Sequence, residues 1–479
     1  MNNKIGNSLR WSTAGEFISK LITPVTNMIL ARVLAPQDFG VLAAINMIIT
    51  FVDLFTDSGF AKYIIQCDFE NEIQAGQYIN VAFWTNLSLS LVLWTLICLF
   101  RFPIAKLIGN SGYENVIILA STQLIITSFS SIQTAIYRRN FDFKTLFKAR
   151  ILISVIPLCV TVPLALLYKN YWSLVIGALL LQIVNAVFLS MKSQWKPAKY
   201  YSISKLKEML SFSIWSLAEA LAYWLTTWFD VFIIGSVFNS YILGLYKNSL
   251  NTVNAIMTLV KASIIPVLFS SLSRLKTNPK KFQNVYGDLQ FGASCILIPM
   301  GVGIFVFREF VTSILLGAKW VEASNIVGVW GLSSCIMATF VNFIAEVFKA
   351  KGIPKVLFLY EVICLLVMIP CCYIAKIFGF WPIVYTRAAS VFVQVFLGLY
   401  FMKKYIGFSI IKMIINVLPP FISAGIMGIC GMVLKNIFRG MFWHFITILI
   451  CCAIYILITM LFFRKRIKSA IYTISQRDG

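Results

Sequence analysis

The sequence predicts an all-α integral membrane protein with about fourteen transmembrane helices. Hydrophobic residues make up 59% of the 479 residues, charged residues make up only 12%, and the mean hydropathy is +0.84. A soluble domain carries about twice that share of charged residues. One helical crossing needs about 20 apolar residues, and lipid requires every backbone polar group to be paired within the segment. The composition therefore predicts a bundle of helices that spans a bilayer.

Apolar runs of sufficient length define the predicted helices in chain order. Their predicted bounds are 10–33, 39–61, 78–100, 113–136, 146–168, 171–191, 210–235, 243–270, 284–307, 323–347, 354–376, 379–402, 411–434 and 441–463. The first run contains Glu16 and Lys20 and is followed by no small-residue cleavage site, so we interpret it as a retained helix rather than a signal peptide. Most of the 11 cysteines lie inside apolar runs without metal or redox spacing, which favours buried apolar positions.

Basic residues are distributed unevenly between the two sides of these spans. If the N-terminus is cytoplasmic, we assign 28 of the 41 basic residues to the inside segments, 9 to the outside segments and 4 to the membrane interior. Basic residues are retained on the cytoplasmic side, so both termini are expected there, which favours an even number of helices. The net charge of +23 is then explained by anionic lipid headgroups of the bilayer. No polar stretch could form a basic face for nucleic acid.

A faint internal repeat has an offset of 204 residues. The matched pairs are Trp11 with Trp215, Ser12 with Ser216, Ile29 with Ile233, and Gly40 with Gly244. Because six predicted helices separate the two copies, they would have parallel topology. We therefore expect a six-helix lobe over 1–192, a second over 193–404, and two further helices with a basic tail over 405–479. Repeats of this kind place the substrate in a central cavity between the lobes.

We assign four basic residues to the membrane interior: Lys20, Lys247, Lys261 and Arg387. A charge at membrane depth is costly, so we expect these side chains to line a cavity that binds an anion. Alternatives remain for three of them. Lys20 could pair with Glu16, one turn earlier, to stabilise a helix contact. Lys247, near the outer end of its helix, could extend to the headgroups, and Arg387 could form a structural salt bridge.

Five carboxylates within or near the spans form a second group of candidates: Glu16, Asp53, Asp57, Glu219 and Asp230. A carboxyl in a low-dielectric environment gains affinity for protons, so these groups could bind a coupling H⁺ or Na⁺. The alternative is that they pair with the basic residues and orient them. Asp230 lies near the outer end of its helix and could cap or gate it.

Several short motifs follow one another along the chain in a defined order. They are LARVLAPQDFG at 30–40, DSGF at 57–60, YRRNFDF at 137–143, YWSL at 171–174, Asp230 with IG at 234–235, LGLY at 243–246, IPVLFSSLSR at 265–274 and GAKW at 317–320. Together they resemble bacterial Wzx-type polysaccharide and O-antigen repeat-unit flippases. These flippases form the polysaccharide transporter branch of the multidrug/oligosaccharidyl-lipid/polysaccharide (MOP) exporter superfamily. The resemblance covers roughly residues 8–400, and the last two helices match least.

The resemblance implies a secondary transporter that works by alternating access. Its cargo would be an undecaprenyl-diphosphate-linked oligosaccharide for O-antigen, capsule or exopolysaccharide, moved from the cytoplasmic to the outer leaflet of the bacterial inner membrane. A polysaccharide polymerase and a chain-length regulator are the implied protein partners. A diphosphate cannot cross hydrocarbon unescorted. This requirement suits Lys20, Lys261 and Arg387, with Lys247 as a further candidate.

Other functions with this composition are a MATE-like drug exporter and a lipid II flippase, which share the predicted architecture. A membrane-bound polysaccharide polymerase or glycosyltransferase would need a large outside loop or an acid-rich catalytic loop, and the loops here are short. The chain has no G-x-x-x-x-G-K-[ST] phosphate-binding loop. The sequence therefore predicts a transporter rather than an enzyme, with no catalytic residues, cofactor or metal.

Overall fold

The computed structural model describes residues 19–57, 59–437 and 440–475, and within these ranges every regular element is helical. In this part of the chain, thirteen helices are long and apolar enough to cross a membrane. They are numbered α2–α14, after the described part of the first predicted helix, α1. The bounds are α1 19–33, α2 Pro36–Thr56, α3 Glu72–Leu99, α4 Glu114–Arg139, α5 Phe143–Tyr168, α6 Trp172–Lys192, α7 Leu217–Val237, α8 Ser240–Arg274, α9 Pro279–Val306, α10 Ala318–Lys351, α11 Pro354–Phe378, α12 Phe380–Ile406, α13 Ile410–Ile437 and α14 Met441–Phe463.

These helices confirm the predicted fold class, because α2–α14 each coincide with one predicted span. The first span is helical over 19–33, and its beginning, with Glu16, lies outside the described residues. Several helices are longer than predicted: α8 extends beyond 243–270 at both ends, and α10 extends beyond 323–347. The difference arises because hydropathy marks only the apolar part of a helix, whereas the backbone hydrogen bonds continue through polar residues.

The chain divides into two compact units, Met1–Lys247 and Asn248–Gly479, so the division falls inside α8. The predicted lobes at 1–192 and 193–404 stay a prediction. Many large apolar side chains are exposed on the helices, as expected for surfaces that face lipid tails rather than water. Examples are Leu166, Leu167, Leu366, Phe396, Phe442 and Phe462.

Polar side chains cap several helices in the first unit. At the start of α2, the Asp38 carboxylate accepts a hydrogen bond of 2.9 Å from the backbone N–H of Ala35. Asn71 caps α3 by accepting from the N–H of Gln74 at 2.8 Å, and Asp142 caps α5 by accepting from the N–H of Thr145 at 3.1 Å. Each cap satisfies an otherwise unpaired amide and fixes where the helix begins.

Two glycines let the first turns of α2 and α8 touch through their backbones. A Cβ atom on Gly40 would overlap the carbonyl oxygen of Ser240 and lie 2.9 Å from the amide nitrogen of Gly244. A Cβ atom on Gly244 would overlap the carbonyl oxygen of Pro36. Gly40 and Gly244 are one of the pairs matched by the 204-residue offset, so the two copies of this position meet in space. The side chains of Trp215 and Ser216 are outside the described part, as are Trp11 and Ser12.

A cluster around Glu208 joins elements that are distant in sequence. Glu208 lies in the first turns of the helix Ile203–Val237, before the membrane-spanning part α7. Its carboxylate accepts hydrogen bonds from the hydroxyl of Tyr63 at 2.6 Å and of Tyr78 at 2.5 Å. Tyr63 belongs to the short helix Phe60–Gln66, which follows α2, and Tyr78 belongs to α3. One carboxylate therefore ties together the starts of three helical segments.

Acid should weaken this cluster. The hydrogen bonds from Tyr63 and Tyr78 hold the pKa of Glu208 below its ordinary value of 4.5. Because the folded-state pKa is the lower one, the carboxylate stabilises the fold above about pH 4.5, and this contribution is lost as the pH falls through the folded-state pKa. We expect Glu208→Gln to lower the melting temperature of the detergent-solubilised protein at pH 7, and this difference to shrink as the pH falls below 4.5. Tyr78→Phe, which removes one donor, should reproduce a smaller part of the effect. A pH-independent difference between wild type and Glu208→Gln would contradict this account.

In the second unit, α9 packs against α10, α13 and α14. A Cβ atom on Gly301 of α9 would lie 2.8 Å from the carbonyl oxygen of Gly331, so the backbones of α9 and α10 approach closely there. The Tyr455 hydroxyl of α14 donates to the carbonyl oxygen of Cys295 at 2.9 Å, and the Tyr360 hydroxyl of α11 donates to that of Gln394 in α12 at 3.0 Å. The two C-terminal helices thus pack against α9, and a partly buried hydrogen bond joins α14 to it.

Three helices contain a π-helical turn, in which one extra residue is accommodated between consecutive α-helical segments. The turns are Pro157–Thr161 in α5, Met337–Val341 in α10 and Met402–Ile406 in α12. In α5 the turn begins at Pro157, which has no N–H for the regular hydrogen-bond ladder.

Candidate functional site

Lys20 lines a cavity of about 360 Å³ between α1, α5 and α6. Arg150 of α5 lines the same cavity, together with the polar side chains of Ser19 and Asn27. Both Lys20 and Arg150 are half-buried, and the buried Ser19 hydroxyl has no hydrogen-bond partner among the described residues. Two cations with a hydroxyl and an amide at close range form a donor set that suits a phosphoryl oxygen.

Two other cavities of the first unit are linked to this one by shared lining residues. Arg150 also lines a cavity of about 510 Å³, where Arg138 of α4 joins it. Arg138 in turn lines a third cavity, of about 240 Å³, with Asp53 of α2 and Asn86 of α3. We call the three cavities together the basic trough. Among the described residues, the ionisable lining residues of the trough are Lys20, Arg150, Arg138 and Asp53, so cations outnumber acids there by three to one.

Sequence reasoning missed Arg138 and Arg150, which it assigned to the cytoplasmic segments. Arg138 is exposed in the last turn of α4, as that assignment implies. Arg150 is different, because it lies two turns after Phe143, the first residue of α5, or about 10 Å along the helix. The signal that could have found it is the Asp142 cap, which fixes the start of α5 and hence the depth of Arg150.

Arg387 belongs to a second polar group, in the second unit. It is buried, with 8% of its surface exposed, and its Nη1 donates to the Ser390 hydroxyl at 3.2 Å. Its guanidinium carbon lies 5.5 Å from the ring centroid of Trp330 in α10. The Trp330 indole N–H donates to the Asn254 side chain of α8 at 3.2 Å. Trp330 therefore links Arg387 to α8, with a ring contact on one side and a hydrogen bond to Asn254 on the other.

Lys261 follows Asn254 by two helical turns and so lies on the same face of α8, where it is half-buried. The structure thus brings Arg387, Trp330 and the face of α8 that carries Lys261 into one region of the second unit. Lys20 belongs to the other unit.

Lys247 and Asp230 lie where α7 and α8 meet. Asp230 is 1% exposed, accepts from the Tyr246 hydroxyl at 2.6 Å, and accepts from the backbone N–H of Val231 at 2.8 Å. The Lys247 ammonium lies 3.9 Å from the ring centroid of Trp228, a cation–π contact. These contacts favour the structural alternative for Asp230, because its carboxylate orients Tyr246 of the LGLY motif.

The other candidate carboxylates differ in their surroundings. Asp53 is half-buried and lines the basic trough. Glu219 is exposed, with its carboxylate 3.9 Å from the Lys62 ammonium, which is typical of a weak surface ion pair. Glu16 and the side chain of Asp57 lie outside the described residues, so their roles stay predictions.

Comparison with known proteins agrees with the motifs. The profile of a family described as polysaccharide biosynthesis protein matches residues 29–325. At 22% identity over 378 residues, the chain is similar to an uncharacterized membrane protein in the cps region of Klebsiella pneumoniae, covering 78% of this chain and 76% of the relative. It is 21% identical over 353 residues to the succinoglycan biosynthesis transport protein ExoT of Rhizobium meliloti, covering 74% of this chain and 70% of the relative.

Solved structures of membrane transporters share the fold. The lipid II flippase MurJ in an inward closed conformation superposes with a TM-score of 0.77 at 17% identity, covering 95% of this chain and 99% of that chain. An inward-facing multidrug resistance MATE family transporter of the MOP superfamily gives a TM-score of 0.60 at 15% identity, covering 82% and 98%. The resemblance drawn from the motifs is confirmed, and the chain is a multi-pass membrane protein that belongs to the polysaccharide biosynthesis protein family.

Proposed function

We propose that this protein is a flippase that moves lipid-diphosphate-linked oligosaccharide repeat units from the cytoplasmic to the outer leaflet of the bacterial inner membrane. Membership of the polysaccharide biosynthesis protein family and the transporter fold support a transport role. The observation that carries the substrate class is the basic trough. Its described lining has three basic residues, Lys20, Arg150 and Arg138, and one acid, Asp53.

The chemistry of the trough matches the difficulty of the cargo. A diphosphate loses its hydration when it leaves water, and fixed cations with hydrogen-bond donors must replace that hydration. A guanidinium can bind two phosphoryl oxygens at once, whereas an ammonium acts as a compact point charge. Arg138, at the end of α4 that the sequence places on the cytoplasmic side, would meet the headgroup first. Arg150 and Lys20 would then receive it deeper in the first unit.

Arg387 and Lys261 supply the corresponding cations of the second unit, and Lys247 is a further candidate. Trp330, beside Arg387, offers an indole face to a sugar ring, and its N–H is already held by Asn254. In an alternating-access cycle, we propose that Lys20 and Arg150 of the first unit contact the diphosphate, and that Arg387 and Lys261 are the candidate phosphate-binding cations of the second unit.

Coupling to an H⁺ or Na⁺ gradient is part of the same proposal. Among the candidate carboxylates, Asp53 is best supported, because it lines the basic trough, whereas Asp230 is engaged by Tyr246 and by the backbone. A polysaccharide polymerase and a chain-length regulator would act on the delivered units in the outer leaflet.

A lipid II flippase is the second candidate, favoured by the similarity to the MurJ structure. It would use the same trough, since lipid II also carries a diphosphate. A MATE-like exporter of cationic drugs fits less well, because like charges would repel such cargo from a site with three cations and one acid.

The decisive measurement is a turnover assay in proteoliposomes. Purified protein would be reconstituted into liposomes with an undecaprenyl-diphosphate-linked oligosaccharide in the inner leaflet and a membrane-impermeant glycosidase outside. We expect the glycosidase to cleave the oligosaccharide faster than in protein-free liposomes. Lipid II and a fluorescent organic cation should be moved more slowly. Turnover of lipid II alone would establish the second candidate, and movement of the cation alone would refute the flippase.

A further inference from the structure

A polar cavity of about 380 Å³ lies in the second unit, away from Arg387 and Trp330. It is formed where α9 and α13 begin and where the helix that contains α14 continues past Phe463. Its lining includes Tyr286 of α9, Ser409 and Lys412 near the start of α13, and Arg466. The sequence places these helix ends on the cytoplasmic side of the membrane.

Among the described residues, the charged lining residues are two cations, Lys412 and Arg466, and one acid, Asp288. The Arg466 guanidinium is held in place, because it donates to the Asn416 side chain and stacks 5.3 Å from the ring centroid of Phe291. Lys412 is exposed at the rim. One cation held by neighbouring side chains and one exposed cation thus line the same cavity.

Tyr286 provides the observation that points to a ligand. Its side chain is fully buried, yet its hydroxyl has no hydrogen-bond partner among the described residues. The ring is fixed by Phe408 and Phe343, with ring centroids 5.0 and 6.1 Å away. A buried hydroxyl without a partner destabilises a fold, and phenylalanine would fill the same space without that penalty. Tyr286 is among the residues that line the cavity, and an oxygen atom of a group bound there would give its hydroxyl a partner.

A hydroxyl, an ammonium and a guanidinium at this site are hydrogen-bond donors that suit an oxyanion. Apolar side chains, among them Met413 and Ile415, line the cavity beside the polar ones. A lipid presents this combination at the junction of its phosphate and its acyl chains, and basic pockets between transmembrane helices on the cytoplasmic side bind such headgroups. We propose that this cavity binds the phosphate of an anionic phospholipid, with Tyr286, Lys412 and Arg466 as its ligands.

Tyr286→Phe tests the proposal, since it removes only the oxygen atom that lacks a partner. Purified full-length protein would be titrated with phosphatidylglycerol, with phosphatidylcholine and with inorganic phosphate, while its melting temperature is recorded. We expect phosphatidylglycerol alone to raise the melting temperature of the wild type. Tyr286→Phe should weaken the apparent affinity for this lipid about tenfold, as expected for one hydrogen bond to a charged group. Without lipid, it should melt at or above the wild-type temperature.

Two further variants keep the test sharp. Tyr360→Phe removes a hydroxyl that already donates to the Gln394 carbonyl, so it should lower the melting temperature without changing the lipid affinity. Lys412→Gln, at the exposed rim, should weaken lipid affinity without affecting the lipid-free protein. An unchanged phosphatidylglycerol affinity in Tyr286→Phe would overturn the site. An equal response to phosphatidylcholine or to inorganic phosphate would overturn the assignment to an anionic lipid.

Discussion

Replacing both Lys20 and Arg150 by alanine should reduce turnover of lipid-linked oligosaccharide to the level of protein-free liposomes. Each single substitution should lower turnover about tenfold or more, because one lost charge-assisted hydrogen bond to a phosphoryl oxygen costs about 1.5–3 kcal/mol. Arg150→Lys should retain part of the activity, since it keeps the charge but loses the bidentate geometry. The measurement is initial turnover rate in proteoliposomes, normalised to the amount of inserted protein.

Lys148→Ala is the matched control for Arg150→Ala. It removes a basic residue from the same helix, two positions away, but Lys148 is exposed and lines none of the three cavities of the trough. We expect it to leave turnover within about twofold of wild type, as for a surface charge of little energetic weight. If Lys148→Ala and Arg150→Ala lower turnover equally, general basic charge rather than the trough is responsible. Full turnover by the Lys20 and Arg150 double variant would reject the trough as the headgroup site.

Gly244→Ala should markedly destabilise the folded protein. The added Cβ atom would overlap the carbonyl oxygen of Pro36, and the obstacle is backbone, so it cannot rotate away as a side chain could. Overpacking of this kind typically costs about 1–3 kcal/mol, and the cost should be at the upper end where two helix backbones must separate. Gly40→Ala should have a similar effect, because its Cβ atom would overlap the Ser240 carbonyl oxygen. The measurement is the melting temperature of the detergent-solubilised protein.

Gly76→Ala and Gly303→Ala are the controls for the two contact glycines. Both residues lie in helices, and a Cβ atom at either position would meet nothing within 4 Å. Since alanine favours helix over glycine by about 1 kcal/mol, these variants should melt at or above the wild-type temperature. Should Gly244→Ala melt like Gly303→Ala, the first turns of α2 and α8 must be further apart than described.

The membrane helices could be predicted from sequence because apolar length alone determines them. Two features of the fold were not predicted. The extra turns at the ends of α8 and α10 escaped prediction, since polar residues there carry no hydropathy signal. The Glu208 cluster also escaped, because the partners of Glu208 are Tyr63 and Tyr78, 145 and 130 residues earlier in the chain. Such contacts arise from tertiary packing and leave no local pattern.

The candidate site was predictable only in part. Lys20 and Arg387 were found because a charge inside an apolar run is conspicuous. Arg150 was missed because basic residues were assigned to one side of the membrane or the other. In that count, a basic residue near the start of a helix is taken to lie in the headgroup region. Tyr286 was missed for another reason: an unpaired hydroxyl is defined by its surroundings, and a tyrosine in an apolar helix looks like any other ring.

The π-helical turns of α5, α10 and α12 bear on how the length of this chain can vary. Deleting one residue from an ordinary α-helix rotates everything beyond it by about 100°, so that lipid-facing residues turn inward. Deleting one residue from Pro157–Thr161 would instead restore regular α-helix. The residues of α5 beyond the turn would then keep the same orientation toward core and lipid. Relatives one residue shorter in these three turns can therefore retain the same buried faces. An alignment that shifts such a gap elsewhere in the helix would pair core residues with lipid-facing ones.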